Sequence, residues 1–459
     1  MSHHVEWVES EMSNQVAVRI SGSRIAFVAV SWAFSEIVRY IYVDVFATPG
    51  LYDYMGIRAL PVSTNVQTLF QLLALLPSVW LPVHLRRPTD AVQLFLFYAV
   101  HIPTCVLLPV VSLSSFSDQF VFAIAILLGL TSFSIRNALP RLPIPHVRFE
   151  SRLFWSCVSV YYIYALAVFA SSGYLTLSNF TFVEVYGQRL ELAQRANEIG
   201  ASFFYVANWT GAALAPFLII VGLHKRRLLP VVAGLAIAIA SFLASSNKAN
   251  YMAIPAVIAG YAVFRMTKGR HIAAIMGASF LLLAAILRGV DLLIGRSIGS
   301  NVSIATWSVF HRAFTNNGFL SSVYLDLFNT LGPALYSDSF LRWIAPPRFD
   351  SPIAQLAGAS FTDVPEVHAN ANMWADGYVN LGYAGIGFSA LSAILVLWLY
   401  DHLSAQKDQS VTAAALVVPA SVLANASVHT ALISNGMIVV FILVWLWRGG
   451  DQPSSNETP

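Results

Sequence analysis

The strongest constraint on this chain is a series of long apolar segments that carry almost no charge. A helix needs about 20 mostly apolar residues to cross a bilayer. Twelve segments approach that length, at 25–46, 64–83, 92–113, 117–135, 153–171, 201–223, 228–244, 249–265, 272–289, 378–400, 411–427 and 430–447. Only 11% of the residues are charged, against about 25% in soluble domains. The sequence therefore predicts an all-α polytopic membrane protein with about twelve transmembrane helices.

The basic residues predict how these helices are oriented. Lys and Arg are enriched in cytoplasmic connections, and most of the 26 in this chain lie in alternate connections, including "HKRR" at 224–227. This alternation predicts that both termini are cytoplasmic. Residues 1–18 carry acidic rather than basic side chains, so we expect the first apolar segment to be an anchor and not a cleaved signal peptide.

Two outer connections are long, at 172–200 and at 290–377. The second far exceeds an ordinary connector, and its aromatic, amphipathic stretches predict a folded helical cap. The expected organisation is therefore nine membrane helices in 1–289, a cap at 290–377, three more helices in 378–448 and a cytoplasmic tail at 449–459. Binding and catalytic residues concentrate in such loops, so we expect the functional site on the outer side.

Positive charges on the outer side are notable because outer segments are usually poor in Lys and Arg. Seven of the eight are arginines, whose planar guanidinium suits bidentate contacts with phosphate or carboxylate. They are Arg189, Arg195, Lys248, Arg288, Arg296, Arg312, Arg342 and Arg348. The alternative is that they pair with acidic residues of the same loops on a solvated surface.

Three of these positions lie at the depth of the membrane interface. Arg288 ends the ninth predicted helix, Arg296 follows two turns later, and Lys248 lies in a short turn between two apolar segments. Charged groups at this depth often face a cavity or a partner, and the diphosphate of a lipid lies at the same level. Snorkelling side chains that only anchor the helices are the alternative.

The segment "VHANANMWADGYVNLG" at 367–382 places polar residues where a membrane helix begins. On a helix Asn372, Asp376 and Asn380 share one face. Asp376 would accept a proton from a hydroxyl if partial burial raises its pKa. His368 is a second candidate base. The alternatives are an N-terminal cap for Asn372 or Asp376 and a surface position for His368.

Other chemistries find no support in the sequence. There is no H-E-x-x-H, C-x-x-C, D-x-D or P-loop pattern, so we expect neither a metal nor another cofactor. Cys105 and Cys157 are expected to be small buried apolar residues. The net charge of +3 is too small to suggest a nucleic-acid partner.

Three short motifs carry a resemblance to a known family. Asn372 is followed by Gly382 and Gly385, "SSNKANY" at 245–251 is a short basic turn, and "RLELAQRANEIG" at 189–200 fits an Arg-x10-Gly pattern. Together with many helices and a large late loop, they resemble the Wzy-type repeat-unit polymerases and the related O-antigen ligases of bacterial envelopes. The position of the ligase histidine is occupied here by Ala371, which favours the polymerases.

The resemblance implies a glycosyltransferase of the bacterial inner membrane whose active site faces the periplasm. The donor would be a growing glycan on undecaprenyl diphosphate, and the acceptor one repeat unit on the same lipid. The non-reducing hydroxyl of the acceptor would attack the anomeric carbon of the donor, and lipid diphosphate would leave without help from a metal. Membrane lipids and a polysaccharide chain-length regulator are the other implied partners.

The candidate residues divide into two sets under this hypothesis. The catalytic candidates are Asp376, His368 and Arg296. The substrate-binding candidates are Lys248, Arg288, Arg312, Arg189, Asn372 and Tyr378. An O-antigen ligase or another transferase of lipid-linked glycans is the first alternative function, and a secondary transporter or lipid flippase is the second.

Overall fold

The computed structural model describes residues 22–140, 142–144, 150–173, 200–298, 302–337, 339, 346–362 and 367–448. All of the regular structure in these residues is helical. The first nine helices are α1 Gly22–Ala47, α2 Thr64–Leu75, α3 Asp90–Val111, α4 Phe116–Asn137, α5 Ser151–Ser171, α6 Ser202–Lys225, α7 Leu228–Ser245, α8 Lys248–Thr267 and α9 Ile272–Ile298. The all-α prediction is confirmed for the described part of the chain.

The second half contains one long helix and several short ones. In α10 a π-helical segment Thr306–Thr315 continues directly into an α-helical segment Asn316–Leu331. The others are α11 Ile353–Ala359, α12 Met373–Leu381, α13 Tyr383–Leu403, α14 Gln409–Ala415, α15 Val417–Leu423, α16 Val428–Leu432 and α17 Met437–Leu446.

Eight helices of the described part are long and apolar enough to cross a membrane, namely α1, α3, α4, α5, α6, α7, α9 and α13. This confirms a polytopic membrane protein. The other four predicted spans form shorter or interrupted helices. Segment 64–83 leaves the α-helical form after Leu75 in a turn that contains Pro77, α8 contains Pro255, and 411–447 divides into α14 to α17. The count of twelve remains a prediction.

Hydrogen bonds between the segments that connect the helices show which of these segments lie at the same end of the helix bundle. At one end the Leu85 amide donates to the Gly269 carbonyl at 2.9 Å. At the other end the Leu60 amide donates to the Val110 carbonyl at 2.7 Å. We call the first the basic end, because Arg24, Arg86 and Arg270 lie there around His84, and the second the site end.

Helix α10 lies inside the bundle, although the sequence predicts that this part of 290–377 belongs to an outer cap. The Asn317 amide donates to the Ala99 carbonyl in the middle of α3 at 2.8 Å. Gly318 packs so closely on α3 that a Cβ atom there would lie 2.4 Å from the Pro103 carbonyl oxygen. Small and hydroxyl side chains permit this approach, since Ser321 and Ser322 donate to carbonyls of their own helix.

The two cysteines differ from the expectation that both are buried. Cys105 is buried in α3, whereas Cys157 is exposed on α5. A lipid-facing helix surface is apolar as well as exposed, and hydropathy alone does not separate the two environments.

Candidate functional site

A tight helical hairpin positions the acidic residue that the sequence predicts to be catalytic. Gly382 joins α12 to α13 with a φ angle of +61°, a conformation that favours glycine. The two helices then pack so closely that a Cβ on Gly385 would lie 1.8 Å from the Gly377 carbonyl oxygen. The two glycines that support the family resemblance therefore build a turn and a helix contact.

Asn372 is the N-cap of α12, so the capping interpretation is correct. Its Oδ1 accepts from the backbone N–H groups of Trp374 at 3.1 Å and Ala375 at 3.2 Å. Its Nδ2 donates to the Ser321 hydroxyl of α10 at 2.8 Å. The side chain is fully buried, so it fixes α12 against α10 in this conformation.

Asp376 lies one turn into α12 and is partly buried. Its carboxylate has one weak partner, the Asn380 amide at 3.5 Å, and takes part in none of the ion pairs among the described residues. Burial raises the pKa of Asp376 to about 7. A carboxylate with this pKa can take up a proton at neutral pH and release it again, as a general base must.

A strained turn after α10 brings a tyrosine to this carboxylate. Leu335 and Tyr336 have φ angles of +56° and +57°, which side chains rarely adopt and which often mark functional sites. The turn is held to α12 because Asn380 accepts from both residues, the Tyr336 amide donating to its Oδ1 at 2.8 Å. Burial and the charge of Asp376 raise the pKa of Tyr336 to about 12, so its phenol stays protonated.

Two further groups complete this site. The His429 ring of α16 lies 5.9 Å from the Tyr336 ring, and burial lowers the pKa of His429. Arg348 is exposed, and its guanidinium donates to the Pro333 carbonyl of the strained turn at 2.7 Å. We call Asp376, Tyr336, His429 and Arg348 the Asp376 site. It combines a carboxylate of raised pKa, a phenol, an imidazole and one cation.

Other predicted residues lie elsewhere. The Tyr378 hydroxyl donates to Asn329, and its ring contacts Phe122 at 5.1 Å, so it supports packing on the far side of α12. His368 is exposed in the segment before α12.

The predicted arginines of α9 and α10 lie apart from the Asp376 site. Arg288 donates to the Val302 carbonyl at 3.3 Å, while Arg296 and Arg312 are exposed. Asp291 accepts from the first amides of α10, which places this group beside the start of that helix. Asp376 lies beside its end. At about 1.5 Å per residue the two ends of α10 are roughly 40 Å apart, so the structure does not bring Arg288 and Arg296 to Asp376.

Two predictions cannot be located. Arg189 and the motif at 189–200 lie outside the described residues, apart from Gly200. Lys248 begins α8, but its side chain is outside the description. Among the described residues, no three His, Cys, Asp or Glu side chains come together as a metal site would require.

Sequence reasoning missed Tyr336 and His429 and gave Arg348 no role of its own. The signals were present but weak. "TLGPALYSD" contains a Gly-Pro pair that indicates a turn. His429 lies among polar residues between two predicted helices that are both short for a membrane span.

Comparison with protein-family models, with curated proteins and with solved structures gave no match for this chain.

Proposed function

We propose that this protein is a membrane glycosyltransferase that polymerises lipid-linked oligosaccharide repeat units into a surface polysaccharide. The observation that carries the proposal is the Asp376 site, in which a carboxylate with a pKa of about 7 acts on the phenol of Tyr336, and an exposed arginine donates to the Pro333 carbonyl of the same turn. A base and an anion-binding group are the two devices that a metal-independent transfer from a lipid diphosphate requires.

In the proposed reaction Asp376 takes the proton of the acceptor hydroxyl while that oxygen bonds to the anomeric carbon of the donor glycan. The bond between this carbon and the donor diphosphate breaks, and Arg348 stabilises the departing negative charge. The Tyr336 phenol and the His429 imidazole orient the sugars by hydrogen bonds. The proton on Asp376 then passes to solvent.

The second arginine group fits the same reaction. Arg288, Arg296 and Arg312 would hold the diphosphate of the acceptor lipid near the start of α10. The non-reducing end of the acceptor, which must reach Asp376, is the end farthest from its lipid. A repeat unit of several sugars would bridge the separation of roughly 40 Å between the two ends of α10.

The proposal includes the finer topology. It has twelve membrane helices with both termini in the cytoplasm, an inner-membrane location and a site end that faces the periplasm. The positions of the basic residues support this arrangement. A chain-length regulator would then approach the protein within the membrane or from the periplasm.

The test is the envelope glycan of a strain that lacks this gene, separated on a gel after complementation. Wild type should restore a ladder of repeat units, and Asp376→Asn and Arg348→Gln should leave a single repeat on the core. Asp53→Asn and Arg58→Gln alter exposed residues at the same end and should restore the ladder. Immunodetection of each variant in the membrane ensures that loss of function is not loss of protein.

Other outcomes would assign a different function. Loss of all repeats from the core, with finished polymer accumulating on the carrier lipid, would identify an O-antigen ligase. Loss of repeats without that polymer would identify a flippase. A normal ladder in the deletion strain would overturn the polymerase proposal for this glycan.

A transporter is the second candidate, and α10 is the observation that favours it. Transporters place polar and interrupted helices inside the membrane, and α10 begins with a π-helical segment and buries Thr315, Asn317 and Ser321. Against it, Asn317 and Ser321 bond to backbone carbonyls and to neighbouring side chains. Uptake of labelled lipid-linked oligosaccharide into proteoliposomes would separate this function from polymerisation.

A further inference from the structure

The basic end carries a group of cations that form no ion pair with a carboxylate of the described residues. Arg24, Arg86 and Arg270 all act on His84 through their charge. None of them takes part in an ion pair among the described residues. The acid nearest in sequence, Asp90, is paired with an arginine of α4 and accepts from backbone amides.

The fold holds this group in place through three connections. The His271 amide donates to His84 Nδ1 at 2.9 Å, and the two rings lie 5.0 Å apart. The Ser23 hydroxyl lies 2.7 Å from His271 Nδ1. Arg24 donates to the Ser78 carbonyl at 2.9 Å and to the Leu81 carbonyl at 2.5 Å. The starts of α1 and α9 and the loop after α2 are thus fixed together.

The positive charges of this group affect the pKa of the histidine at its centre. Partial burial, followed by the charges of His271, Arg270, Arg86 and Arg24, lowers the pKa of His84. Like charges held together by a fold create a positive potential that attracts an anion. The group therefore favours a ligand of negative charge.

An apolar groove adjoins these cations and indicates what kind of anion. It has a volume of about 470 Å³ and is lined by Ile25, Val28, Ala29, Trp32 and Leu75, with Arg24 at its end. It lies between α1 and α2, and Ile25 and Trp32 are largely exposed. A hydrocarbon chain in the groove would therefore have its polar end at the arginines.

We propose that the basic end binds an anionic phospholipid, whose phosphate is held by Arg24, Arg86 and Arg270 and one of whose acyl chains occupies the groove. Charge complementarity selects the headgroup, because a zwitterionic lipid brings its own cation. The groove selects a lipid over a free phosphate. This site lies at the end of the bundle opposite the Asp376 site, and the inference does not depend on the proposed function.

Native mass spectrometry of the detergent-solubilised full chain, titrated with phosphatidylglycerol, phosphatidylcholine or glycerol phosphate, tests this site. Phosphatidylglycerol should bind at least fivefold more tightly than phosphatidylcholine. The double variant Arg86→Gln, Arg270→Gln should lose about tenfold or more of that affinity, since each basic residue near an anionic lipid contributes about a fivefold factor. Arg226→Gln, Arg227→Gln is the matched control, because it removes two exposed arginines at another turn of the same end.

The groove has its own pair of variants. Ala29→Trp fills it and should weaken phosphatidylglycerol binding, whereas Ala167→Trp places the same side chain on an exposed face of α5 and should not. Equal binding of both phospholipids, or equal losses in the two double variants, would overturn the site. Glycerol phosphate binding as tightly as phosphatidylglycerol, or no effect of Ala29→Trp, would overturn the role of the groove and with it the choice of a lipid.

Discussion

Asp376 is a carboxylate that folding removes from water without supplying a cation. Burial raises its pKa to about 7, whereas the pKa of aspartate in an unfolded chain is about 3.9. Between these pH values only the folded protein holds the proton, so the free energy of unfolding falls as pH rises and levels off above pH 7. Asp376→Asn removes this term, so its stability advantage over wild type should grow by about 2–3 kcal/mol from pH 5 to pH 8.

Thermal unfolding in detergent at several pH values measures this difference. Asp350→Asn, at an exposed carboxylate, is the matched control and should change stability by no more than about 0.5 kcal/mol. If the stability difference between wild type and Asp376→Asn were the same at every pH, the carboxylate would be well solvated and unsuited to act as a base.

The local part of the Asp376 site could be predicted from the sequence, and the rest could not. Asn372, Asp376 and Asn380 follow one another at helical spacing, which a periodic pattern reveals. Tyr336 reaches Asp376 from a distant segment through a turn with two left-handed residues, and His429 of another segment contacts the Tyr336 ring. Propensity gives no reason to expect Leu and Tyr in that conformation, because only the surrounding tertiary contacts stabilise it.

At the level of helices, α12 and α13 depend on contacts that leave no room for a methyl group. A Cβ on Gly385 would lie 1.8 Å from the Gly377 carbonyl oxygen, a backbone atom that cannot rotate away. Gly385→Ala should therefore separate the two helices, lower the unfolding temperature and abolish any activity that uses Asp376. Gly387→Ala is the matched control, because nothing lies within 4 Å of a Cβ there, and it should be neutral or slightly stabilising.

Fluorescence-detected size exclusion after heating compares the two glycine variants in crude membranes. If both tolerated heat equally well, the α12–α13 contact would be looser than the structure has it. Retained activity in Gly385→Ala would show that Asp376 does not need this hairpin.

Helix α10 illustrates the limit of prediction at this scale. Its sequence is too polar to be counted as a membrane span, and the sequence therefore suggested a cap outside the bilayer. The structure places it against α3, where the Thr104 hydroxyl donates to Ser321 at 3.1 Å and Asn372 donates to the same oxygen. Hydropathy reports the cost of exposing polar groups to lipid, but it does not report whether protein partners surround them.

For the whole molecule, the alternation of basic residues along the chain predicts an orientation in the membrane, and that orientation stays a prediction. What the sequence does not reveal is which of those residues leave the surface. Arg136 is fully buried and joins three helices at the basic end, through Asp90 of α3 and through Asp401 of α13 at 3.7 Å. It also donates to Gln93 at 3.2 Å. Asp401 in turn accepts from the Thr89 hydroxyl.

This buried network should dominate the stability of the bundle at the basic end. Arg136→Gln leaves Asp90 and Asp401 buried without their central cation, and the loss of one partner from such a network costs about 3–5 kcal/mol. The matched control is Arg265→Gln, because the ion pair of Arg265 with Asp408 at 3.8 Å is well exposed and should contribute about 0–1 kcal/mol. The unfolding temperature should therefore fall by many degrees for the first variant and hardly change for the second.

Hydrogen exchange adds a spatial test of the same network. Arg136→Gln should increase exchange where α3, α4 and α13 meet and leave the Asp376 site protected. Equal effects of the two variants would mean that water reaches Arg136, and that packing of the apolar helices, not this network, holds the basic end together.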